Sequence, residues 1–312
     1  MGDLKVSVCM ITYNHEKFIV NAIDSILMQQ VAFDYKLIIS DDCSTDNTRS
    51  ILKEYQSKFP DKIELLLPQQ NLGVKLNFIA ALNACAGDYI ALCEGDDFWI
   101  DPLKLQKQMD FFEQVDLNKK YSICFHDSFI VNEMGAKVQE SLLGCIPEDY
   151  SVEDVIMGKT IPTQTVMFRS EFLNTNALNI SSKSLDSLLF TLLTQKGKAR
   201  NLTNIGKAAY RIHSGGVWSS LNLKYKFLES LKYQKELYAI LDAPIKGVVL
   251  QRVYEISKQV DHTTLTKLER MIVKLECVKI LLVNYSYGKS FLLLKNVIQS
   301  LITSSHNKLV TH

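Results

Sequence analysis

Residues 36–58, KLIISDDCSTDNTRSILKEYQSK, decide the reading of the fold. The run Lys36 to Ser40 is apolar, β-branched and too short for a helix, so it reads as a buried strand. It ends in Asp41-Asp42. Ser44-Thr45-Asp46 then form a helix-start signature, and the helix runs to about Lys58 with Pro60 beyond it. This is one strand–helix unit, and the same unit recurs on either side. Upstream, Lys5 to Ile11 (KVSVCMI) predicts a strand and Tyr13-Asn14-His15 a turn. A helix follows, with Phe18, Ile19, Ala22, Ile23, Ile26 and Leu27 on one face. Downstream, Ile63 to Leu67 is a third strand, and Asn71-Leu72-Gly73 turns into a helix ending near Ala86-Gly87. Tyr89 to Cys93 is a fourth strand. Such alternation with short connections predicts an α/β fold, a mostly parallel sheet with helices on both faces. Ligands of such sheets bind beyond the carboxyl ends of the strands, where the strand order reverses.

Those positions are polar here: Thr12-Tyr13-Asn14, Asp41-Asp42 and Glu94-Gly95-Asp96-Asp97. The last cluster places three carboxylates within four residues, directly after a buried strand. Like charges so close repel, and a cation relieves that cost. An incomplete set of hard oxygen ligands suits magnesium or manganese, with substrate phosphate oxygens filling the remaining positions. Gly95 lets the backbone turn sharply between the acids. A competing explanation, an acidic cap on the next helix, is weakened because Asp101-Pro102 already supplies a cap and a first-turn proline. At Asp41-Asp42 an ordinary strand-to-helix turn competes with a role for Asp41 as acceptor from a base or ribose. Asn71 and Gly73 have the make-up of a plain turn.

The bulk composition narrows the class. The 312 residues are 47% hydrophobic, enough for a full core, with a formal charge of +1, which gives nucleic acid no strong field to follow. The charge is uneven. Residues 218–312 hold 14 Lys/Arg and 7 Asp/Glu, a net +7, and the preceding residues are net −6. That contrast predicts a domain over 1–218 and a basic, mainly helical region over 219–312. The seven cysteines (Cys9, Cys43, Cys85, Cys93, Cys124, Cys145 and Cys277) include no CxxC pair and read as small core residues in a reducing compartment. Asp3 and a strand-like run follow Met1 directly, which argues against a signal peptide, and no apolar run reaches the ~18 residues of a spanning helix. A cytoplasmic chain is expected.

Taken together, VSVCMITYN (6–14), LIISDDCSTDNT (37–48), NLGVKLNF (71–78), GDYIALCEGDDFWIDPLKLQKQ (87–108), IPTQTVMF (161–168) and YRIHSGGVWS (210–219) resemble family 2 glycosyltransferases, which have the GT-A fold. The resemblance implies transfer of a sugar from a nucleoside diphosphate donor, UDP-linked by expectation, to an acceptor hydroxyl with inversion. Its setting would be cell-surface polysaccharide or lipopolysaccharide synthesis. The donor side would be Thr12, Tyr13, Asn14, Asp41, Asn71, Asp96 and His213, and the metal, Mn or Mg, would be held by Asp97 and His213. Where the family often shows Asp-x-Asp-Asp, this chain begins with Glu94, which receives no role. The family's general base, an Asp or Glu near a helix start in the second half, falls best on Asp186 in SLDSLLF. Ser184 or Asp186 could equally cap that helix, and Glu171 and Asp154 are weaker candidates. The glycine-rich loop after His213 suits a diphosphate, with Trp218 as a lid residue.

The basic tail is apolar but interrupted, with Lys274 and Lys279 in MIVKLECVKILLVN (271–284) and Lys295 in FLLLKNVIQSLI (291–302). Two readings stay open. It packs as a helical subdomain, on this chain or a second copy, or it lies on the inner face of a membrane as cationic amphipathic helices do. The second would suit a lipid-linked glycan acceptor. Two other functions compete with transfer. A sugar-nucleotide uridylyltransferase would open with a glycine-rich loop, whereas this first strand runs into ITYNHEKF. A non-catalytic nucleotide-sugar binder, partner of another transferase, would keep the donor residues without needing the base.

Overall fold

In the computed structural model, residues 4–144, 146–178, 182–218, 220–284 and 288–306 are described; Cys145 lies outside them. Strand β1 (Val6–Thr12) leads into helix α1 (Ile19–Leu27), β2 (Tyr35–Asp41) into α2 (Thr48–Lys58), and β3 (Ile63–Leu66) into α3 (Gly73–Ala84). Next, β4 (Tyr89–Leu92) leads into α4 (Lys104–Asp110). The expected strand–helix alternation is therefore present element by element. β1 pairs in parallel with β2 on one side and β4 on the other, and β2 pairs with β3. The order β3-β2-β1-β4 reverses direction at β1/β4, and sheets of this kind bind ligands in the crevice beyond the strand ends at such a reversal.

Beyond α4 the chain forms β5 (Tyr121–Phe125), β6 (Ser128–Val131), β7 (Lys137–Gln139) and β8 (Asp149–Tyr150), then α5 (Val152–Ile156) and β9 (Met167–Arg169). Helix α6 (Leu185–Thr194), β10 (Lys198–Asn201) and β11 (Ala208–Arg211) follow. The main sheet runs β3-β2-β1-β4-β9-β5-β10-β8, with β9 antiparallel to both neighbours; a second sheet runs β11-β6-β7. Burial explains the central strands. Val6, Val8 and Met10 of β1 and Leu37 and Ile39 of β2 are fully buried and pack with Ile19, Ala22, Ile23 and Ile26 of α1. A sheet covered on both faces needs near-continuous apolar strands, which is what KVSVCMI and KLIIS supply.

Two buried cations brace this core. Arg169 of β9 is paired with Asp116 at 3.3 Å and donates to the Tyr121 carbonyl and the Tyr89 hydroxyl, both at 3.1 Å. Lys104 is fully buried, donates to Gln108 Oε1 at 2.8 Å and sits 3.9 Å from the Trp99 ring; burial pushes its ammonium down to about 7. Six cysteines are described as free thiols; Cys9, Cys93, Cys124 and Cys277 are buried, in keeping with small core residues.

The chain divides into two compact units. The first comprises 1–152, 160–179 and 189–213, and the second 153–159, 180–188 and 214–312. The long C-terminal part of the second unit thus starts at Ser214 rather than at 219, and two short segments join it. Within that unit, Gly158 (φ +91°) lies against the Arg252 guanidinium, leaving no room for a Cβ. Its helices are α7 (Leu223–Ile240), α8 (Ala243–Gln259), α9 (Lys267–Val283) and α10 (Gly288–His306). Thr266 and Glu269 form a capping box at the start of α9. Leu231, Leu250, Val253, Val273, Ile280 and Val297 form part of its core. Lys274 does not reach solvent: it is buried and donates to Asp261 Oδ2 at 2.7 Å and Ser300 Oγ at 2.8 Å. Among the described residues, no helix is long and apolar enough to cross a membrane.

Candidate donor and metal site

The turn after β4 is pressed against the end of β1. The Gly95 N–H donates to the Ile11 carbonyl at 3.0 Å, and a Cβ on Gly95 would stand 2.7 Å from Thr12 Oγ1. Glycine is required there by close approach. Thr12 is buried and its hydroxyl has no partner among the described residues, leaving an orphan polar atom beside Gly95.

The loop after β1 is laced to the loop after β2. Asn14, at φ +56°, a conformation Asn tolerates better than most residues, accepts from Thr45 N–H at 2.8 Å and donates its own N–H to Ser44 Oγ at 2.9 Å. Glu16 Oε2 accepts from Asn47 N–H at 3.0 Å, and His15 N–H donates to Thr48 Oγ1 at 2.9 Å. These bonds fix where the His15 ring stands. Tyr13 is exposed.

Asp41 is fully buried, with both oxygens engaged. Oδ2 accepts from Arg49 Nε at 2.8 Å and from Ser44 N–H at 3.1 Å, while Oδ1 accepts from the Ser44 hydroxyl. Arg49 also reaches the Pro68 carbonyl at 2.8 Å, tying α2 to the loop after β3. The sequence left open whether Asp41 belongs to an ordinary turn or accepts from a base or ribose; within the chain its oxygens are held by Arg49 and Ser44. Removing one partner of a buried ion pair strands the other, so Arg49→Ala should lower stability by about 3 kcal/mol. Urea unfolding at pH 7 measures this, and a loss below about 1 kcal/mol would remove the anchoring role. Asn71 is likewise spent on its turn: Nδ2 donates to the Asp42 carbonyl at 2.9 Å and Oδ1 accepts from Gly73 N–H at 3.1 Å. Asp42 Oδ1 accepts from Leu72 N–H at 2.6 Å.

The two acids of the β4 turn point to different places, because Phe98 pairs with Ala209 of β11 in a short antiparallel bridge. Asp97 is turned inward. It is buried, its Oδ1 accepts from Arg211 N–H at 2.8 Å, and burial with the charges of Asp96 and Glu94 pushes its carboxyl well above the usual range. Asp96 is turned to the crevice. Its Oδ2 lies 2.9 Å from His213 Nε2 and 4.0 Å from His15 Nε2. Burial works to raise Asp96, but the His213 hydrogen bond and the charges of the two imidazoles outweigh it and hold the carboxyl below its ordinary value. Burial pushes His15 below the ordinary imidazole value, against the pull of Asp96. Arg211 stands behind the group, with Nε on the Asp96 carbonyl at 2.8 Å and its guanidinium 4.8 Å from the Phe18 ring.

His15, Asp96 and His213 thus offer two imidazole nitrogens and one carboxylate oxygen within 4.8 Å of one another. That donor set fits a first-row divalent metal; two nitrogen ligands suit manganese, iron, cobalt or zinc better than magnesium. The group joins His213, expected on both the donor side and the metal, to Asp96, expected on the donor side, while Asp97, the expected metal ligand, is not a member of it. The sequence also missed His15, although it directly follows Asn14 at the end of the first strand. Of the base candidates, Asp186 lies in the first turn of α6, in the second unit, where Oδ1 accepts from Ser187 N–H at 2.7 Å. Glu171 is paired with Lys119 at 2.8 Å and Asp154 with Lys159 at 2.6 Å. Trp218 is exposed, in the second unit.

A mostly parallel sheet whose order reverses at β1/β4, with helices packed on it, is the GT-A architecture. Among solved structures, TarS residues 1–349 of S. aureus in complex with UDP-GlcNAc shares the fold, with a TM-score of 0.58 at 18% identity over 96% of this chain and 92% of that one. Residues 7–124 match the model of glycosyl transferase family 2, and the domain they build belongs to that family. An uncharacterized protein of Mycobacterium tuberculosis (strain ATCC 25618 / H37Rv) is 35% identical over 215 residues, 69% of this chain and 61% of the relative. The chain therefore spans about three-fifths of that relative's length. The putative teichuronic acid biosynthesis glycosyltransferase TuaG of Bacillus subtilis is 26% identical over 76% of this chain and 93% of its own.

Proposed function

We propose that this chain is an inverting, metal-dependent glycosyltransferase. It moves a sugar from a UDP-linked donor to a hydroxyl of a growing cell-surface polysaccharide or lipopolysaccharide on the cytoplasmic side of the membrane. The observation that carries the reading is the His15–Asp96–His213 group at the β1/β4 reversal, beside the orphan Thr12 hydroxyl. A divalent cation held there would supply Lewis-acid stabilisation of the departing diphosphate. In the transfer itself, an acceptor oxygen bonds to the anomeric carbon, the bond from that carbon to the diphosphate oxygen breaks, and the nucleoside diphosphate leaves with the electron pair. Asp186 takes the proton of the acceptor hydroxyl. One displacement inverts the anomeric centre. The likeness to TuaG supports a polysaccharide acceptor, and the nucleotide sugar bound by TarS supports a uridine donor.

The test is a panel of nucleotide sugars scored by thermal shift with manganese, followed by donor hydrolysis. A ligand at a hundred times its Kd adds about 2.7 kcal/mol of stability. A UDP-sugar should raise the melting temperature in a manganese-dependent way and be cleaved slowly to UDP. No shift with any donor would overturn the reading. A shift without cleavage, even with acceptor extracts, would favour a non-catalytic binder.

A further inference from the structure

The second unit packs one face of α9 into its core and leaves the opposite face apolar. Leu268, Met271, Ile272, Leu275, Leu282 and Val283 recur at helical spacing along the whole of α9, each between 39% and 82% exposed. Soluble helices place charge on that side. At the start of α10, Phe291 and Leu292 are also exposed, followed by Ile298. The core already holds Val273, Cys277, Ile280 and Leu281 of α9 and Leu294 and Val297 of α10, so the outward residues are surplus to the packing of the unit.

We propose that the outward faces of α9 and α10 dock on an anionic lipid surface. Charge decides the occupant. The basic side chains within or beside the stripe are Lys267, Lys279 and Lys295, all exposed; the acids at its border are Glu276, paired with Lys279 at 3.0 Å, and Glu269, which accepts from the Thr266 N–H at 3.0 Å in the helix cap. Over 267–306 there are six Lys/Arg, one of them the buried Lys274, and two Glu. A second copy meeting this face across a two-fold axis would bring like patches together, lysines against lysines. A bilayer of anionic headgroups accepts the apolar residues and the lysines at once, the lysines reaching back to the headgroups. With 17 residues, α9 is about 25 Å long. It lies along such a surface rather than across it, since no described helix is apolar enough to span. The surface needs neither donor nor metal, so this inference stands or falls apart from the transfer reaction.

The experiment is flotation of the full chain with vesicles of phosphatidylcholine alone or mixed with phosphatidylglycerol. The chain should float with the mixed vesicles and be largely released by high salt. Leu268→Glu with Leu275→Glu should cut the bound fraction at least about tenfold, as should Lys279→Glu with Lys295→Glu, since each lysine adds to attraction at the headgroups. All four positions are exposed, so both variants should melt with the wild type. Asp96→Asn should float unchanged. Equal recovery with and without mixed vesicles would overturn the proposal. So would a stable dimer in sedimentation that the leucine variant dissociates, because the face would then belong to a second copy.

Discussion

Asp96→Asn should reduce manganese-stimulated transfer about a thousandfold, whereas Asp97→Asn should leave metal affinity within a few-fold of wild type. From sequence alone the metal fell to Asp97 and His213, with Asp96 on the donor side. Asp96 places an oxygen 2.9 Å from His213 and 4.0 Å from His15, so it is the oxygen donor of the only metal-type group among the described residues. Losing the metal forfeits several kcal/mol of stabilisation of the leaving diphosphate, which sets the scale of the fall. Asp97 instead accepts the Arg211 N–H inside the protein, and an asparagine oxygen can accept the same bond. Free Mn2+ measured by electron paramagnetic resonance reads affinity without turnover. His15→Ala should weaken Mn2+ about tenfold or more, and Mn2+ should bind more tightly than Mg2+, because imidazole nitrogens favour the former. Loss of Mn2+ binding in Asp97→Asn with retention in Asp96→Asn would restore the assignment made from sequence.

That difference turns on a kind of information the sequence does not carry locally. The first four strands and three helices were legible within a residue or two, because each is announced locally by a β-branched run, a turn or a helical apolar face. Polarity after Thr12, Asp41 and Leu92 was legible for the same reason. What local pattern could not say is how the ends meet. Whether Asp96 or Asp97 faces the crevice depends on the Phe98–Ala209 bridge, a pairing between positions far apart in the chain. His15 gains its meaning only when β4 lies beside β1 and the 210–213 segment comes up next to both. At Asp41 a plain turn and an acceptor role both stayed open, because Arg49, eight residues on, gave no sign that it would turn back to it. The antiparallel insertion of β9 between β4 and β5 was also silent, since a three-residue strand has no periodicity to detect. In the tail, the two readings of the lysines separate by position: Lys274 is a buried partner of Asp261, while Lys279 and Lys295 remain on the surface.

Asp186→Asn should leave donor and metal binding intact and lower turnover about a thousandfold, within the range that general-base removal produces. The side chains have the same shape, and an asparagine oxygen can still accept the Ser187 N–H that Asp186 Oδ1 accepts at 2.7 Å. Helix α6 should therefore start as before, and the melting temperature should move little. What asparagine cannot do is take a proton. Both bonds that Ser187 makes to Asp186, from its N–H and from its hydroxyl, fall on Oδ1, and an asparagine oxygen accepts them as a carboxylate oxygen does. A capping role and a base role then predict different losses. If Asp186 only caps the helix, asparagine, itself a good cap, preserves turnover. If it is the base, kcat falls while the donor Kd, read by thermal shift with manganese, stays put. Glu171→Gln and Asp154→Asn are the matched controls. Each of those acids pairs with a lysine, Lys119 or Lys159, so its loss should leave kcat near wild type. Full turnover in Asp186→Asn, with a fall in either control, would move the base to that residue.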